Sequence, residues 1–228
     1  MLHSPPLLTI HRGFRRPDPT LVERFKGAQT SHLVDAMDGR GALDYRIKPL
    51  EPAQSVFAGP AMTAHSYPAD IVGMFGALAE ARPGDVIVIA NDGYTETAVV
   101  GDLAVGMMRN KGVAAFVTDG LARDRAGIVA TGVPVFCRGI SPNSPGGYGK
   151  GTVGVPVTLG GVHVLPGDIV VGDADGVVVV PLARAEEVLE RLAQVRAAEA
   201  KTVQKVAEGM TMPPSMEAIL AGALIVES

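Results

Sequence analysis

The chain has little with which to staple, anchor or charge itself. A single cysteine, Cys137, among 228 residues excludes an internal disulfide and fits a reducing compartment. No apolar run reaches the ~18 residues that a membrane helix needs. Near the amino terminus, Arg15 and Arg16 are followed by Pro17 and Asp18, where an export signal requires a long apolar segment. Basic clusters are missing too. With 20 Lys and Arg against 24 Asp and Glu, a net charge of −4 offers no electrostatic footprint for nucleic acid. The five histidines, at 3, 11, 32, 65 and 163, show no paired zinc-ligand spacing. No glycine fingerprint for a dinucleotide or a methyl donor follows a first strand. These absences predict a cytoplasmic protein with no membrane or nucleic-acid partner.

What is abundant is apolar residue. At 47% hydrophobic, the chain can bury a large core. We read it as one domain over 1–228, with a helical N-terminal segment (1–50), an α/β core (51–181) and a helical C-terminal segment (182–228). In the first segment, Asp18 is a candidate cap ahead of Pro19, and a second short helix over "TSHLVDAM" closes at Gly39 and Gly41. "VFAGPAMTAH" reads as a strand broken by its Gly-Pro step. Over residues 69–138, "ADIVGMFGALAEA", "GDVIVIA", "GDLAVGMMRN", "AAFVTDG", "RDRAGIVATG" and "VPVFCRG" alternate helix and buried strand. That order argues for βαβ units and a parallel sheet. After a Gly/Pro/Ser-rich loop (139–152) the pattern turns to short strands, with turn signals at Gly160-Gly161, Pro166-Gly167 and Asp175-Gly176. Ala185, Val188, Leu189, Leu192 and Val195 then mark one face of a closing helix. "RPGDVIVIAN" and "LPGDIVVGDA" share a strand-entry turn in which Asp85 and Asp168 bond the local backbone.

Ligands of open α/β sheets sit beyond the carboxyl ends of strands. Two adjacent junctions qualify here, "NDGYTETAVVGDLA" and "TDGLARD". They bring Gly101, Asp102, Leu103 and Ala104 beside Arg123 and Asp124. Neighbours in sequence point apart, so Arg123 and Asp124 make a poor ion pair and each is free for another partner. Gly101 permits close approach, and the amides of Leu103 and Ala104 can receive a carboxylate. Arg123 offers a planar fork to the same anion. Asp102 and Asp124 supply hard oxygens suited to Mg²⁺ or Mn²⁺, although aspartate at a helix start also serves as a cap. The residues alone leave both roles open. No lysine (111, 150, 201 or 205) has an apolar setting fit for a Schiff base, which favours a metal. Cys137, Met107 and Met108 read as core, and "GYGKG" (147–151) as a loop.

Asp102, twenty intervening residues, then Arg123-Asp124 resembles the motif of the class II pyruvate aldolases. These act on 4-hydroxy-4-methyl-2-oxoglutarate or 4-carboxy-4-hydroxy-2-oxoadipate and share a fold with the regulator of ribonuclease E activity A. "PGDVIVIAN", "VGDLA", "KGVAAFVTDGLARD", "GVPVF" and "PGDIVVGDADGVVVVP" are similar to successive blocks of that family, over about Thr30 to Ala200. The resemblance implies a swivelling β/β/α domain of the phosphohistidine-domain-like kind, assembled as a homotrimer or homohexamer. It implies Asp124 as metal ligand, Asp102 orienting water on the metal, and Arg123 at the keto-acid end of the substrate. Gly101 to Ala104 would receive the pyruvoyl carboxylate. Glu199, from a neighbouring subunit, would approach the metal through water. The reaction expected is cleavage of a 4-hydroxy-2-keto acid to pyruvate through an enolate whose charge the metal absorbs. Oxaloacetate decarboxylation accompanies it. The distal substrate end falls to Asp70, Ser141 and residues 143–150. A non-catalytic ribonuclease regulator or a 2-keto-acid binding protein is the alternative.

Overall fold

A computed structural model describes residues 6–226; His3 lies outside them. The chain enters as strand β1 (Leu8–Ile10), followed by helices α1 (Pro19–Glu23) and α2 (Thr30–Ala36) and strand β2 (Lys48–Pro49). The α/β alternation then runs β3 (Phe57–Ser66), α3 (Val72–Glu80), β4 (Val86–Ala90), β5 (Ala98–Val100) and α4 (Asp102–Asn110). It continues through β6 (Ala115–Thr118), β7 (Leu121–Ala122), α5 (Arg125–Thr131) and β8 (Val135–Cys137). Strand β9 (Gly151–Val153) precedes two hairpins, β10 (Val157–Leu159) with β11 (Val162–Val164) and β12 (Ile169–Gly172) with β13 (Val177–Val180). Helices α6 (Ala185–Ala207) and α7 (Pro214–Ala221) follow.

The main sheet has the order β1-β9-β3-β4-β6-β8-β2, and β3, β4, β6 and β8 run parallel through its centre. Every residue of β4 and β6 is buried, as their unbroken apolar runs require of a doubly covered sheet. Helices α3, α4 and α5 pack one face through Met74, Leu78, Val105, Met108 and Ile128. The β10–β11 hairpin helps cover the other through Val157, Leu159 and Val164. A third cluster joins α2, β12, β13 and α6, with Leu33, Ile169, Val171, Val188 and Leu192 buried together. This is the mixed swivelling architecture, with a C-terminal helix, expected from the sequence.

Two features differ from the sequence reading. The strand at 57–66 is continuous through Gly59-Pro60 rather than broken. At that step β3 changes partners. Residues 57–60 pair antiparallel with β12, and 61–65 pair parallel with β4. Proline lacks an N–H, and such a junction between ladders tolerates the missing donor. The first fifty residues are also less helical than their caps and spacing imply. They hold two short helices and lend β1 and β2 to the two ends of the main sheet.

The local capping arguments hold. Asp18 accepts a hydrogen bond from Thr20 N at 2.8 Å. Asp85 accepts from Arg82 N, and Asp168 from Leu165 N and Leu182 N. Burial pushes the Asp168 carboxyl up, offset by those amides. Cys137 is buried, and desolvation raises its thiol to about 11.

Candidate active site

Strands β5 and β7 form a small parallel pair beyond the carboxyl ends of β4 and β6, and each leads directly into a helix. Their ends, Val100-Gly101-Asp102 and Arg123-Asp124, meet at one cavity of about 210 Å³. Arg123 N donates to Val100 O at 3.0 Å, which ties the two junctions together. A buried carboxylate braces the first loop. Asp119 accepts from Asn91 N at 2.7 Å and from Gly93 N at 2.9 Å. Desolvation raises its carboxyl while the two amides oppose that shift. The site residues therefore sit on short strand ends held by backbone pairing.

Asp124 adopts a left-handed conformation, φ 59° and ψ 43°. It occupies the cap position of α5, yet its carboxylate makes no capping hydrogen bond. Instead Oδ2 lies 3.2 Å from Arg123 Nε. The expectation that these neighbours point apart is thus corrected, because the positive φ folds the Asp124 side chain back over Arg123. An ion pair this exposed contributes at most about 1 kcal/mol. Left-handed backbone at a non-glycine residue costs at least as much, about 1–3 kcal/mol. The pair does not account for the conformation.

Gly101 explains part of the geometry. A Cβ at this position would lie 2.7 Å from Asp124 Oδ2 and 3.2 Å from Arg123 Nε, so only glycine leaves the carboxylate where it is. Asp102 opens α4, and its Oδ1 accepts from Leu103 N at 2.7 Å. Leu103's amide is therefore already engaged, contrary to the expectation that it is free for a ligand. The Ala104 amide, in the first turn, has no acceptor among the described residues. Arg123 Nη1 donates to Ser144 Oγ, so the 139–150 loop reaches the site.

A divalent cation fits this donor set on one observation. Asp124 makes no capping hydrogen bond with its carboxylate despite a left-handed backbone, and Asp102 lines the same cavity, with Oδ1 on the Leu103 amide and Oδ2 against Gly127 of α5. Among the described residues no group of three or more His, Cys, Asp or Glu side chains could hold a metal. Two hard oxygen donors suit Mg²⁺ or Mn²⁺, which keep several waters, and do not suit zinc.

The comparisons with known proteins bear on this arrangement. The family model described as RraA-like, Aldolase/RraA, matches residues 30–179, a span that contains both junctions. The chain belongs to the Aldolase/RraA family. A relative from Halalkalibacterium halodurans, named "Putative 4-hydroxy-4-methyl-2-oxoglutarate aldolase", is 41% identical over 170 residues, 75% of this chain and 80% of its own. Among solved structures, RraAS2 of Streptomyces coelicolor is 30% identical with a TM-score of 0.75. The match covers 83% of this chain and all of that one. It is described as an unusual member of the RNase ES inhibitor RraA family. The RNA-processing inhibitor RraA of Thermus is 28% identical with a TM-score of 0.62, covering 68% and 93%.

Other residues of this Aldolase/RraA chain fall where the sequence argued, or not. Gly101 to Ala104, Arg123 and Asp124 all line the one cavity. Glu199 does not. In its own chain it lies on α6 against His32 of α2. Lys111 donates to Ala79 O, and Lys150, Lys201 and Lys205 are exposed away from the cavity. Asp70 is not open to a substrate. Only 4% exposed, it accepts from Val72 N through Oδ1 and from Tyr148 N and Gly149 N through Oδ2. It pins the loop that carries Ser144 and Pro145. Ser141 Oγ accepts from Asn143 N. Met108 is core, but Met107 is 50% exposed and lines the cavity with Phe75 and Ile71. The sequence signal for Met107 was its step from Leu103, one helical turn away.

Proposed function

We propose that this Aldolase/RraA protein is a divalent-metal-dependent lyase that cleaves a 4-hydroxy-2-keto acid to pyruvate and a carbonyl compound, and that also decarboxylates oxaloacetate. The observation that carries this reading is the convergence of Arg123, Asp124, Asp102 and the Gly101–Ala104 turn on one cavity. In the cleavage the C3–C4 bond breaks, the 4-hydroxyl loses its proton, and C3 takes up a proton to become the pyruvate methyl group. The electron pair left by the bond resides on the enolate of pyruvate, and a site must stabilise that charge. Asp124 would hold Mg²⁺ or Mn²⁺ directly, and that ion supplies Lewis-acid stabilisation of the enolate charge when bound.

The chain's own groups do the rest. Arg123 adds a charge-assisted hydrogen bond to the keto-acid end, through the donors left over from Ser144. The Ala104 amide, at the positive end of α4, receives the carboxylate. Asp102 orients the water that accepts the hydroxyl proton. The working assembly is a homotrimer or homohexamer in which Glu199 approaches from a neighbouring subunit. A second reading, a non-catalytic regulator of ribonuclease activity, is favoured by solved relatives described as an RNase ES inhibitor family member and as an RNA-processing inhibitor.

Pyruvate alone separates the two readings. A site that forms the enolate should exchange the methyl protons of pyruvate in D₂O with Mg²⁺ or Mn²⁺ present, observable by NMR. Chelation should stop the exchange, and Asp124→Asn should abolish it. An unchanged methyl signal over hours, with metal supplied, would overturn the lyase reading.

A further inference from the structure

Helix α6 runs on past its partner. Val188, Leu192, Val195 and Glu199 recur along it at helical spacing, and the first three pack into the cluster shared with α2. Arg191 donates to Asp38, just beyond the end of α2, at 2.7 Å, and Glu199 lies against His32 in its first turn. The two helices therefore run antiparallel, and α2 is used up at Thr30. The stripe on α6 is not. It continues through Val203 and Val206, 60% and 55% exposed. From 196 to 226 every residue is exposed except the half-buried Met210. Helix α7 buries none of its eight residues, whereas a helix shorter than about 12–15 residues is marginal without packing.

This arm is too apolar to be a solvated tail. Among the described residues it carries nine exposed large apolar side chains, Met216, Ile219, Leu220 and Leu224 among them. Together they offer on the order of 500 Å² of apolar surface. That is the better part of the about 800 Å² that each partner gives to a stable interface. The chain holds a matching surface at the mouth of the cavity. Leu103 and Met107 lie one turn apart on α4, 77% and 50% exposed, and Phe75 of α3 stands beside them at 39%. In the assembly proposed above, Glu199 approaches the cavity of a neighbouring subunit. Val203 and Val206, four and seven residues further on, share its face, and α6 ends about 12 Å beyond it. A face that delivers Glu199 to that cavity delivers the arm to its mouth.

We infer that residues 203–226 of one chain dock on the apolar mouth of a second copy's cavity, against Phe75, Leu103 and Met107, and exclude water from it. The inference rests on the assembly given under the lyase reading. Each chain both lends an arm and receives one, as a closed symmetric oligomer requires.

The test is a covalent one and needs no substrate. Met107→Cys chains and Ile219→Cys chains are co-expressed and treated with a short bis-maleimide. The native Cys137 is buried, with its thiol raised to about 11, and stays unlabelled. Covalent dimers should form between the two kinds of chain and not within either kind alone. Dimers of Ile219→Cys chains alone would show arm pairing with arm, and no dimers at all would leave the mouth uncovered. Either result overturns the inference. So does coupling confined within one chain when both cysteines are placed together, because the arm then covers its own cavity.

A second measurement reads the docking itself. Ile219 and Leu220 are 62% and 54% exposed in the single chain, so aspartate at both is compatible with folding. Ile219→Asp with Leu220→Asp should make Met107→Cys react with iodoacetamide about 100-fold faster or more, the equilibrium worth of burying two such side chains. Equal labelling rates would overturn the inference. Coupling between chains in a protein that exchanges no pyruvate protons would overturn the lyase reading and support this one.

Discussion

Replacing Gly101 by alanine adds one carbon at the centre of the site, and its effect can be worked from the geometry. The backbone at Gly101, φ −136° and ψ −180°, is ordinary extended conformation, so alanine introduces no backbone strain. The new Cβ would stand 2.7 Å from Asp124 Oδ2, whereas ordinary contact begins at 3.4 Å. The carboxylate must retreat by about 0.7 Å, and Arg123 Nε, at 3.2 Å, must give by less. Misplacement of a reacting group by about 1 Å costs on the order of 100-fold in rate. We expect kcat for pyruvate release to fall about 30- to 100-fold, with weaker Mg²⁺ affinity by calorimetry. The Asp124 side chain is 45% exposed and can swing towards solvent, so Tm should move by only a few degrees. Gly106→Ala on the same helix is the control. Its Cβ meets nothing within 4 Å, and alanine there should add up to about 1 kcal/mol of helix stability with activity unchanged. A Gly101→Ala protein with kcat within a few-fold of wild type would refute the placement of Asp124 as the group this glycine makes room for.

Arg123→Lys keeps the charge but loses the fork shared between Ser144 and Asp124, and turnover should fall by about 100-fold or more. A few-fold loss would assign Arg123 to structure. Asp70→Asn keeps one acceptor oxygen and should raise KM more than it lowers Tm, because the freed segment is the one that brings Ser144 and Pro145 to the site; steady-state kinetics with thermal denaturation checks this. An unchanged KM would detach that loop from catalysis. Cys137, with its thiol raised to about 11, is about one part in a thousand thiolate at pH 8. It should resist alkylation by iodoacetamide until the protein is unfolded, and rapid labelling of folded protein would contradict its burial. Sedimentation should show a trimer or hexamer, and a fully active monomer would remove the role given to Glu199.

The βαβ order of elements and the parallel pairing of the core were legible because the units carry their own punctuation. Gly-Asp and Asp-Gly steps bound the runs of β4 and β6, which helix-spaced apolar residues follow, and Gly132 and Gly139 bound the run of β8. Gly101, Asp102, Arg123 and Asp124 could be brought together from that order alone, since adjacent parallel strands deliver adjacent loops to one edge. What could not be read was set by long-range partners. The Gly-Pro step in β3 looks like a break until β12 is known to take over the pairing there. Asp70 looks like a free acid at a loop, yet its oxygens are consumed by amides far along the chain, at Tyr148 and Gly149. Leu103's amide is claimed by its own neighbour Asp102, a rotamer choice that spacing does not reveal. The contact between Arg123 and Asp124 depends on one backbone angle, a positive φ that aspartate tolerates but does not announce.

The change of partner within β3 also bears on how this chain can be made. Residues 57–60 find their antiparallel neighbour only in β12, while residues 61–65 can pair with β4 as soon as it emerges. During synthesis the second half of the strand is therefore satisfied early, and the first half waits with bare N–H and C=O groups until the ribosome has delivered Ile169–Gly172. An unpaired edge of this kind is a template for pairing with other chains. Chains arrested before β12 should accumulate as aggregates or as chaperone clients rather than as folded fragments, and the last third of the protein acts as the closure that ends that exposure.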